Sequence, residues 1–302
     1  MLAYWFQQSS TTLQLIYLDF LMGLCTSRKQ HLEPEDLYRK QHPEDLSSPG
    51  PSFLSSYHLH EKLGSGGFGT VYRVTHKDTG TQRVAKKIKR DPEQEEPSEV
   101  NLMRELDHPQ IIGFLEHYTS PFYQILILEL LPGCMDLFDY IGLRGKLPER
   151  STKFIMIQLT AALTYLHEEK QIAHLDVKPE NILIQPTTGD TRLIDFGAAQ
   201  RIRPRPHTTF RGTRQYASPE ILFSGKFDPV AADVWAVGVT LYKMIYGRLP
   251  FKRSRDYLRP LSFFHTGVST LCLETIAIIL NPNPDLRPAS ISDIRSSYWL
   301  QS

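Results

Sequence analysis

The stretch His174-Leu175-Asp176-Val177-Lys178-Pro179-Glu180-Asn181 places an acid, a lysine and an amide within six positions, just ahead of the apolar run Ile182-Leu183-Ile184. A carboxylate here can accept a proton from a hydroxyl, and an ammonium two residues on can offset charge on a phosphoryl group. An amide oxygen beside them suits a hard cation such as magnesium. A second acid, Asp195, stands 19 residues beyond Asp176 in Arg192-Leu193-Ile194-Asp195-Phe196-Gly197, at the end of an apolar strand-like run. Taken alone, Asp-X-Gly is a common turn. In this order it supplies a second oxygen ligand.

A third stretch handles phosphates. In Leu63-Gly64-Ser65-Gly66-Gly67-Phe68-Gly69-Thr70-Val71-Tyr72, the glycines at 64, 66 and 69 let backbone amides approach an anion without side-chain obstruction. The pattern is weak by itself. Strand-like residues flank it on both sides, which predicts a hairpin; a dinucleotide-binding site would open into a helix instead.

The elements that must hold these groups can be read from periodicity. Asp78-Thr79-Gly80 is a hairpin turn leading into the strand Arg83–Ile88, which carries two adjacent lysines, Lys86 and Lys87. Pro97-Ser98 opens a helix with Val100, Leu102, Met103 and Leu106 at helical spacing, and Asp107-His108-Pro109 ends it. The breaks at Asp91-Pro92 and Pro97 predict that this helix is short and lightly anchored. Residues 111–115 and 124–129 read as strands, the second running into Leu130-Leu131-Pro132-Gly133. A long amphipathic helix is expected over 149–170, with Phe154, Ile157, Leu159, Ala162, Leu163 and Leu166 as its apolar face and His167 as a structural residue. Further helices are expected from Asp233 to Tyr246, over 271–280 and over 291–300.

At 302 residues, 41% apolar and 22% charged, the composition is that of a globular chain with a large core. A net charge of +1 points to neither nucleic acid nor a membrane surface. Cys25, Cys134 and Cys272 are isolated and odd in number, which argues against a disulfide framework or zinc site and suits a reducing cytoplasmic or nuclear compartment. The apolar stretch 13–24 contains Asp19 and is shorter than the roughly 20 residues of a spanning helix, so no transmembrane segment is expected. Residues 1–52 read as a poorly ordered extension, proline-rich toward its end. A monomer is expected.

The motifs together, in this order over about residues 57–300, resemble the eukaryotic protein kinases of the serine/threonine type, within the calcium/calmodulin-kinase group and most like its Pim branch. The resemblance implies an α+β, bilobal kinase domain over 53–301. A small β-rich N-lobe (53–131) carries one αC helix, and a larger, mostly helical C-lobe spans 132–301. It implies ATP and Mg²⁺ as cofactors and serine- or threonine-containing proteins as substrates. Asp176 would orient the substrate hydroxyl and Lys178 would offset phosphoryl charge. Asn181 and Asp195 would hold the metal, and Thr213 would bond near Asp176 and Lys178. The family's V-A-x-K pattern selects Lys87 as the phosphate lysine, with Lys86 a solvated charge. Counting back from His108-Pro109 selects Glu99 as its partner over Glu105. Leu63, Gly64, Ser65, Gly66, Gly67, Phe68 and Gly69 would cover the nucleotide. Val71, Ala85 and Leu183 would sandwich the adenine, with Leu128 behind it and backbone groups of Glu129 and Leu131 facing it. Asp136 is either a ribose contact or a helix N-cap, or both. Glu220 and Arg287 would form a buried ion pair, and Asp233 would bond the backbone of the 174–181 loop.

The chain departs from the pattern in three places. Leu175 replaces the family's arginine, which in many kinases pairs with a phosphorylated activation segment; this implies activity without that phosphorylation. The hinge has its proline one position later than Pim-like hinges. Basic substrates are expected through Asp139 and Glu180, yet Lys252, Arg253 and Arg255 occupy a region that is acidic in Pim-like kinases. The basic residues Arg201, Arg203, Arg205, His207, Arg211 and Arg214 form either a solvated loop or a docking surface for an anionic partner. Three other readings share the motifs: a pseudokinase scaffold, which predicts a missing catalytic group; a calmodulin-regulated kinase; and a Mos-like kinase, which also has His-Leu-Asp.

Overall fold

The computed structural model describes residues 53–302 except 68, 90–97, 121, 254–255, 258–260 and 262–266. The expectations for residues 1–52, Phe68 and Arg255 lie outside the described residues. A helical turn, α1 (Phe53–Ser56), leads into five strands: β1 (Tyr57–Gly66), β2 (Gly69–His76), β3 (Gln82–Lys89), β4 (Phe114–Thr119) and β5 (Tyr123–Glu129). They form an antiparallel sheet in the order β1-β2-β3-β5-β4. The expected strand over 111–115 is shifted: Ile111 instead bridges to Leu193 and the Ile112 amide donates to the Leu193 carbonyl, so this segment ties the two lobes together.

Helix α2 (Ser98–Met103) has six residues. It is far below the length at which a helix is stable alone, so its buried face (Val100, Leu102 and Met103) must hold it. The rest is mainly helical. β6 (Met135–Asp136) and α3 (Leu137–Arg144) precede α4 (Glu149–Thr164), which continues as a π turn over Tyr165–Glu169. The buried face of α4 is Ile155, Met156, Leu159, Ala162 and Leu163; Phe154 and Ile157, expected inside, are exposed. With two adjacent apolar pairs, 154–155 and 156–157, periodicity alone could not fix the helix rotation.

Short strands follow: β7 (Ile172–Ala173), β8 (Ile182–Ile184), β9 (Thr191–Leu193) and β10 (Gln200–Arg201). β6, β8 and β9 form one sheet, and β10 pairs with β7. After α5 (Pro219–Phe223) comes α6 (Pro229–Tyr246), buried almost throughout its 18 residues. A helix apolar on all sides belongs in the centre of a large domain. Asp228 caps its first turn, and Gly247 ends it at φ 68°. A Cβ on Gly247 would lie 1.9 Å from the Gly145 carbonyl, so both conformation and space require glycine there. α7 (Thr270–Ile279), α8 (Ile291–Arg295) and α9 (Tyr298–Gln301) close the lobe. A buried core around Leu163, Trp235, Val237 and Trp299 runs up through Leu126 to Met103. No helix of the described residues is long and apolar enough to cross a membrane.

Candidate active site

β3 decides which lysine enters the cleft. Successive strand residues face opposite sides, and residues paired across a sheet share a side. Lys86 pairs with Val71 on β2 and Leu126 on β5, while Val84 pairs with Leu128. Val71, Val84, Lys86, Leu126 and Leu128 therefore share one face. On that face the Lys86 ammonium donates to both Glu99 carboxylate oxygens, at 2.6 and 2.9 Å, and to Asp195 Oδ1 at 2.8 Å. Burial alone would lower the Lys86 pKa; the carboxylates of Glu99 and Asp195 outweigh it and raise it, so the ammonium stays charged.

This corrects the expectation for Lys87. Lys87 lies on the opposite face, with its ammonium 3.6 Å from the centre of the Tyr123 ring. Ala85 is corrected with it: it pairs with Tyr72 on the Lys87 face, whereas Val84, paired with Arg73, shares the face of Val71 and Lys86. The alternation carried the signal. Gln82, Val84, Lys86 and Ile88 form a stripe with apolar members on both sides of the lysine, whereas Arg83, Ala85, Lys87 and Lys89 form a mostly charged one. The family's V-A-x-K spacing points the other way from that stripe.

Glu99, in the first turn of α2, is the buried partner. Glu105, the alternative, pairs instead with Arg201 on β10. β1 and β2 form the glycine hairpin, with Gly64 opposite Val71 and Gly66 opposite Gly69. Cβ atoms on Gly64 or Gly66 would meet nothing within 4 Å, while one on Gly69, at φ 132°, would lie 2.4 Å from the Lys87 carbonyl. The first two glycines thus leave room above the cleft, and the third permits close packing of β2 on β3.

At the hinge, the Glu129 amide donates to the Gly113 carbonyl at 3.0 Å, so of its two backbone groups only the carbonyl remains for a nucleotide. The Leu131 N–H makes no hydrogen bond among the described residues. Asp136 caps α3 by accepting from the Asp139 amide at 2.8 Å, which accounts for one of its oxygens. Leu183 pairs with Asp136 across β8 and β6 and is half-buried.

The 174–181 loop hangs from the core helix α6. Asp233, fully buried, accepts from the His174 and Leu175 amides at 2.8 Å each, and its Oδ2 lies 2.8 Å from His167 Nε2. Leu175 is held at φ 61°, a conformation that bulky residues rarely adopt. The bond from Asp233 fixes it there. Asp176 then receives the Thr213 amide at 2.8 Å on Oδ1, with Lys178 Nζ at 2.7 Å and Asn181 Nδ2 at 2.9 Å on Oδ2. Lys178 also donates to the Thr213 hydroxyl at 2.6 Å. Burial works to raise the Asp176 carboxyl pKa. Hydrogen bonds from Lys178 and Thr213, with the Lys178 charge, outweigh it and hold the group below the ordinary carboxylate value.

Asn181 gives its NH₂ to Asp176, which turns its amide oxygen the other way. Asp195 sits at φ 63°, with Oδ1 taken by Lys86 and the Gly197 amide. Phe196 is fully buried, edge-on to His174 at 5.0 Å. An amide oxygen and a carboxylate with an uncommitted second oxygen make a donor set suited to magnesium together with phosphate oxygens.

The activation segment, 198–217, is held by several contacts. Leu175 is buried with Ala173, Ala198, Phe227 and Ala232, and Phe210 and Ile202 of the segment pack on this cluster. His207 and Phe227 exchange backbone hydrogen bonds at 2.9 and 3.0 Å, and Gln200 donates to the Thr209 carbonyl at 2.9 Å. Arg201 is committed to Glu105 and to the Lys170 carbonyl. Below the segment, Arg287 grips Glu220 with two bonds of 2.7 and 2.8 Å.

The protein kinase domain family matches residues 57–300. A serine/threonine-protein kinase pim-2 from Danio rerio is 35% identical over 268 residues, covering 82% of this chain and 86% of that protein. The serine/threonine-protein kinase prk-2 of Caenorhabditis elegans is 33% identical, covering 82% of this chain and 59% of the relative. A NUAK family SNF1-like kinase 1 from Mus musculus is 30% identical, covering 94% and 43%. The chain thus spans most of the first relative but only about half of the other two. With a match of this length and these relatives, the chain belongs to the protein kinase family, on its serine/threonine side.

Proposed function

We propose that this chain is an active serine/threonine protein kinase that transfers the γ-phosphate of ATP to serine or threonine hydroxyls, and that it does so without phosphorylation of its activation segment. The observation that carries the reading is the contact of Lys86 with Glu99 and Asp195 together, which joins both sides of the cleft through one buried ammonium. A scaffold without activity would have no need to keep that charge cluster and Asp176 intact.

Phosphoryl transfer needs positioning and charge stabilisation more than covalent help. Lys86 would hold the α- and β-phosphates, with Glu99 fixing its direction. The hairpin of Gly64, Gly66 and Gly69 would cover the phosphates. Val71, Val84 and Leu183 would enclose the adenine, with the Glu129 carbonyl and Leu131 N–H facing its edge. Magnesium, held by Asp195 and Asn181, would supply positive charge against the phosphate oxygens. Asp176, kept ionised by its neighbours, would orient the incoming hydroxyl and take its proton. Lys178 would offset the charge of the moving phosphoryl group.

Independence from activation-segment phosphorylation rests on Leu175. An apolar cluster fills the place where a phosphate would otherwise be paired, and the segment is packed on it. The test is phosphotransfer by the bacterially expressed, phosphatase-treated chain with Mg-ATP. Wild type should transfer phosphate, whereas Asp176→Asn and Lys86→Met should not. Equal activity in all three would overturn the proposal.

A further inference from the structure

Beside Thr213, which positions Asp176, the chain turns through Arg214 into a cleft of about 280 Å³. Its floor is apolar: Phe251 and Tyr257 stack at 4.6 Å, with Leu249 alongside. Its rim carries Arg214, Lys252 and Arg253, all exposed. Among the described residues, none of these three side chains has an ion-pair or hydrogen-bond partner.

The carboxylates that could neutralise this rim are engaged elsewhere. Asp256 accepts the backbone amides of Lys252 and Arg253 at 3.0 and 2.8 Å. Glu220 is gripped by Arg287. Glu180, from which basic substrates were expected, faces the Tyr216 hydroxyl and the charge of Lys243. Lys243, on α6, is buried against the Phe138 ring at 3.8 Å and donates to Tyr216 at 3.3 Å. Burial lowers its pKa, and Glu180 and Asp136 work against that fall. Lys243 sets a positive charge near Glu180, whose buried Oε2 accepts no hydrogen bond among the described residues. The rim of this cleft therefore carries uncompensated positive charge, while Asp139, exposed on α3, stays open to a basic side chain elsewhere on a substrate.

We infer that this kinase selects protein substrates with acidic residues next to the phosphorylated serine or threonine, and that the rim of Arg214, Lys252 and Arg253 receives them. The inference rests on the transfer reading above and concerns its substrate class. A cleft of this size takes one or two side chains, and carboxylates complement its rim while their methylenes cover the aromatic floor.

Three synthetic peptides, alike but for glutamate, alanine or arginine flanking one serine, test it with the full chain. Initial transfer rates and, in parallel, fluorescence anisotropy of labelled peptides are the readouts. The glutamate peptide should exceed the alanine peptide on the order of tenfold in kcat/KM, as two or three partly exposed ion pairs allow. The margin should shrink as salt is raised from about 0.05 to about 0.5 M. Lys252→Glu/Arg253→Glu should favour the arginine peptide, and Lys252→Ala/Arg253→Ala should bring the three closer together. Equal rates for all peptides, or wild-type preference for arginine, would overturn the inference while leaving transfer itself standing. Selective binding of the glutamate peptide with no transfer to any peptide would do the reverse. Neither transfer nor selective binding would end both.

Discussion

The two lysines of β3 offer a sharp test, because they are adjacent in sequence and opposite in space. Lys86→Met removes an ammonium that touches two oxygens of Glu99 and one of Asp195. Glu99 is 5% exposed, so its carboxylate is left without its charge partner in a buried place. Breaking a buried pair from one side costs about 3–5 kcal/mol, less whatever relief comes from protonating Glu99 or swinging the short α2 outward. Loss of a preorganised charge at the phosphates costs about 10²–10³-fold in rate, or roughly 2.7–4 kcal/mol of transition-state stabilisation. Lys87→Met removes instead an ammonium buried on the opposite face of β3 beside the Tyr123 ring, a contact worth about 2 kcal/mol when desolvated, so melting temperature should fall while the rate stays within about threefold. Initial rates of phosphate transfer at saturating and limiting ATP, with a melting curve for each variant, separate the two effects. Lys86→Met/Glu99→Gln adds a further check: removing the stranded charge should recover melting temperature without recovering transfer. Abolition of activity by Lys87→Met, with Lys86→Met still active, would refute the reading of the strand and with it the proposed nucleotide face.

Three other outcomes follow from the loop. Phosphorylating Thr208 or Thr209, or mimicking it with glutamate, should raise the rate by less than about threefold, since no arginine at 175 is present to pair with the charge; a large gain in a steady-state assay would count against phosphorylation-independent activity. Gly212→Ala would place a Cβ 2.0 Å from the Leu175 carbonyl, forcing the segment away from the loop; transfer should fall by about 10²-fold or more through misplacement of Thr213, with a smaller change in melting temperature. Asp176 has a folded-state pKa below its ordinary 3.8. Its stabilising contribution is therefore full above that value and lost as pH falls through the lower one. The acid limb of kcat/KM from this group should lie below 3.8, and Lys178→Met should move it upward, read from a pH–rate profile.

Much of the fold was legible because its signals are local and repeated. The glycine hairpin, the apolar run of β5 and the mostly apolar α6 each announce themselves within a dozen residues. Asp176, Asn181 and Asp195 stand out in the sequence because their order and spacing are constrained by a single loop and the turn that follows it. What was not legible depends on rotation and register. V-A-x-K as written fits Val84–Lys87 and points to Lys87, whereas the pairing of Lys86 with Leu126 and Val71 sets Lys86 on the face that reaches Glu99 and Asp195. On α4, Leu159, Ala162 and Leu163 are buried as expected, and only Phe154 and Ile157 fall outside, for the same reason. Lys243 carried no sequence signal: one lysine in an apolar helix reads as a residue reaching for solvent, and its burial under Tyr216 arises only when α6 meets the activation segment.

The same dependence on contacts across the molecule explains how the site can be both incomplete locally and well formed. Helix α2 has six residues and little intrinsic stability, yet it carries Glu99. Leu175 occupies a left-handed conformation that its side chain disfavours, at a cost of order 1–3 kcal/mol. Both are stabilised from outside: α2 by the Lys86 ion pair and its buried Val100, Leu102 and Met103, Leu175 by Asp233 and the cluster around Phe227. A charged side chain at 175 would have to leave that cluster or bring a counter-charge into it. Leucine instead lets burial hold the loop to the activation segment, and burial does not wait on a modifying enzyme. On the proposed function, displacing α2 would pull Glu99 from Lys86 and leave Asp176, fixed from below by α6, without a positioned phosphate.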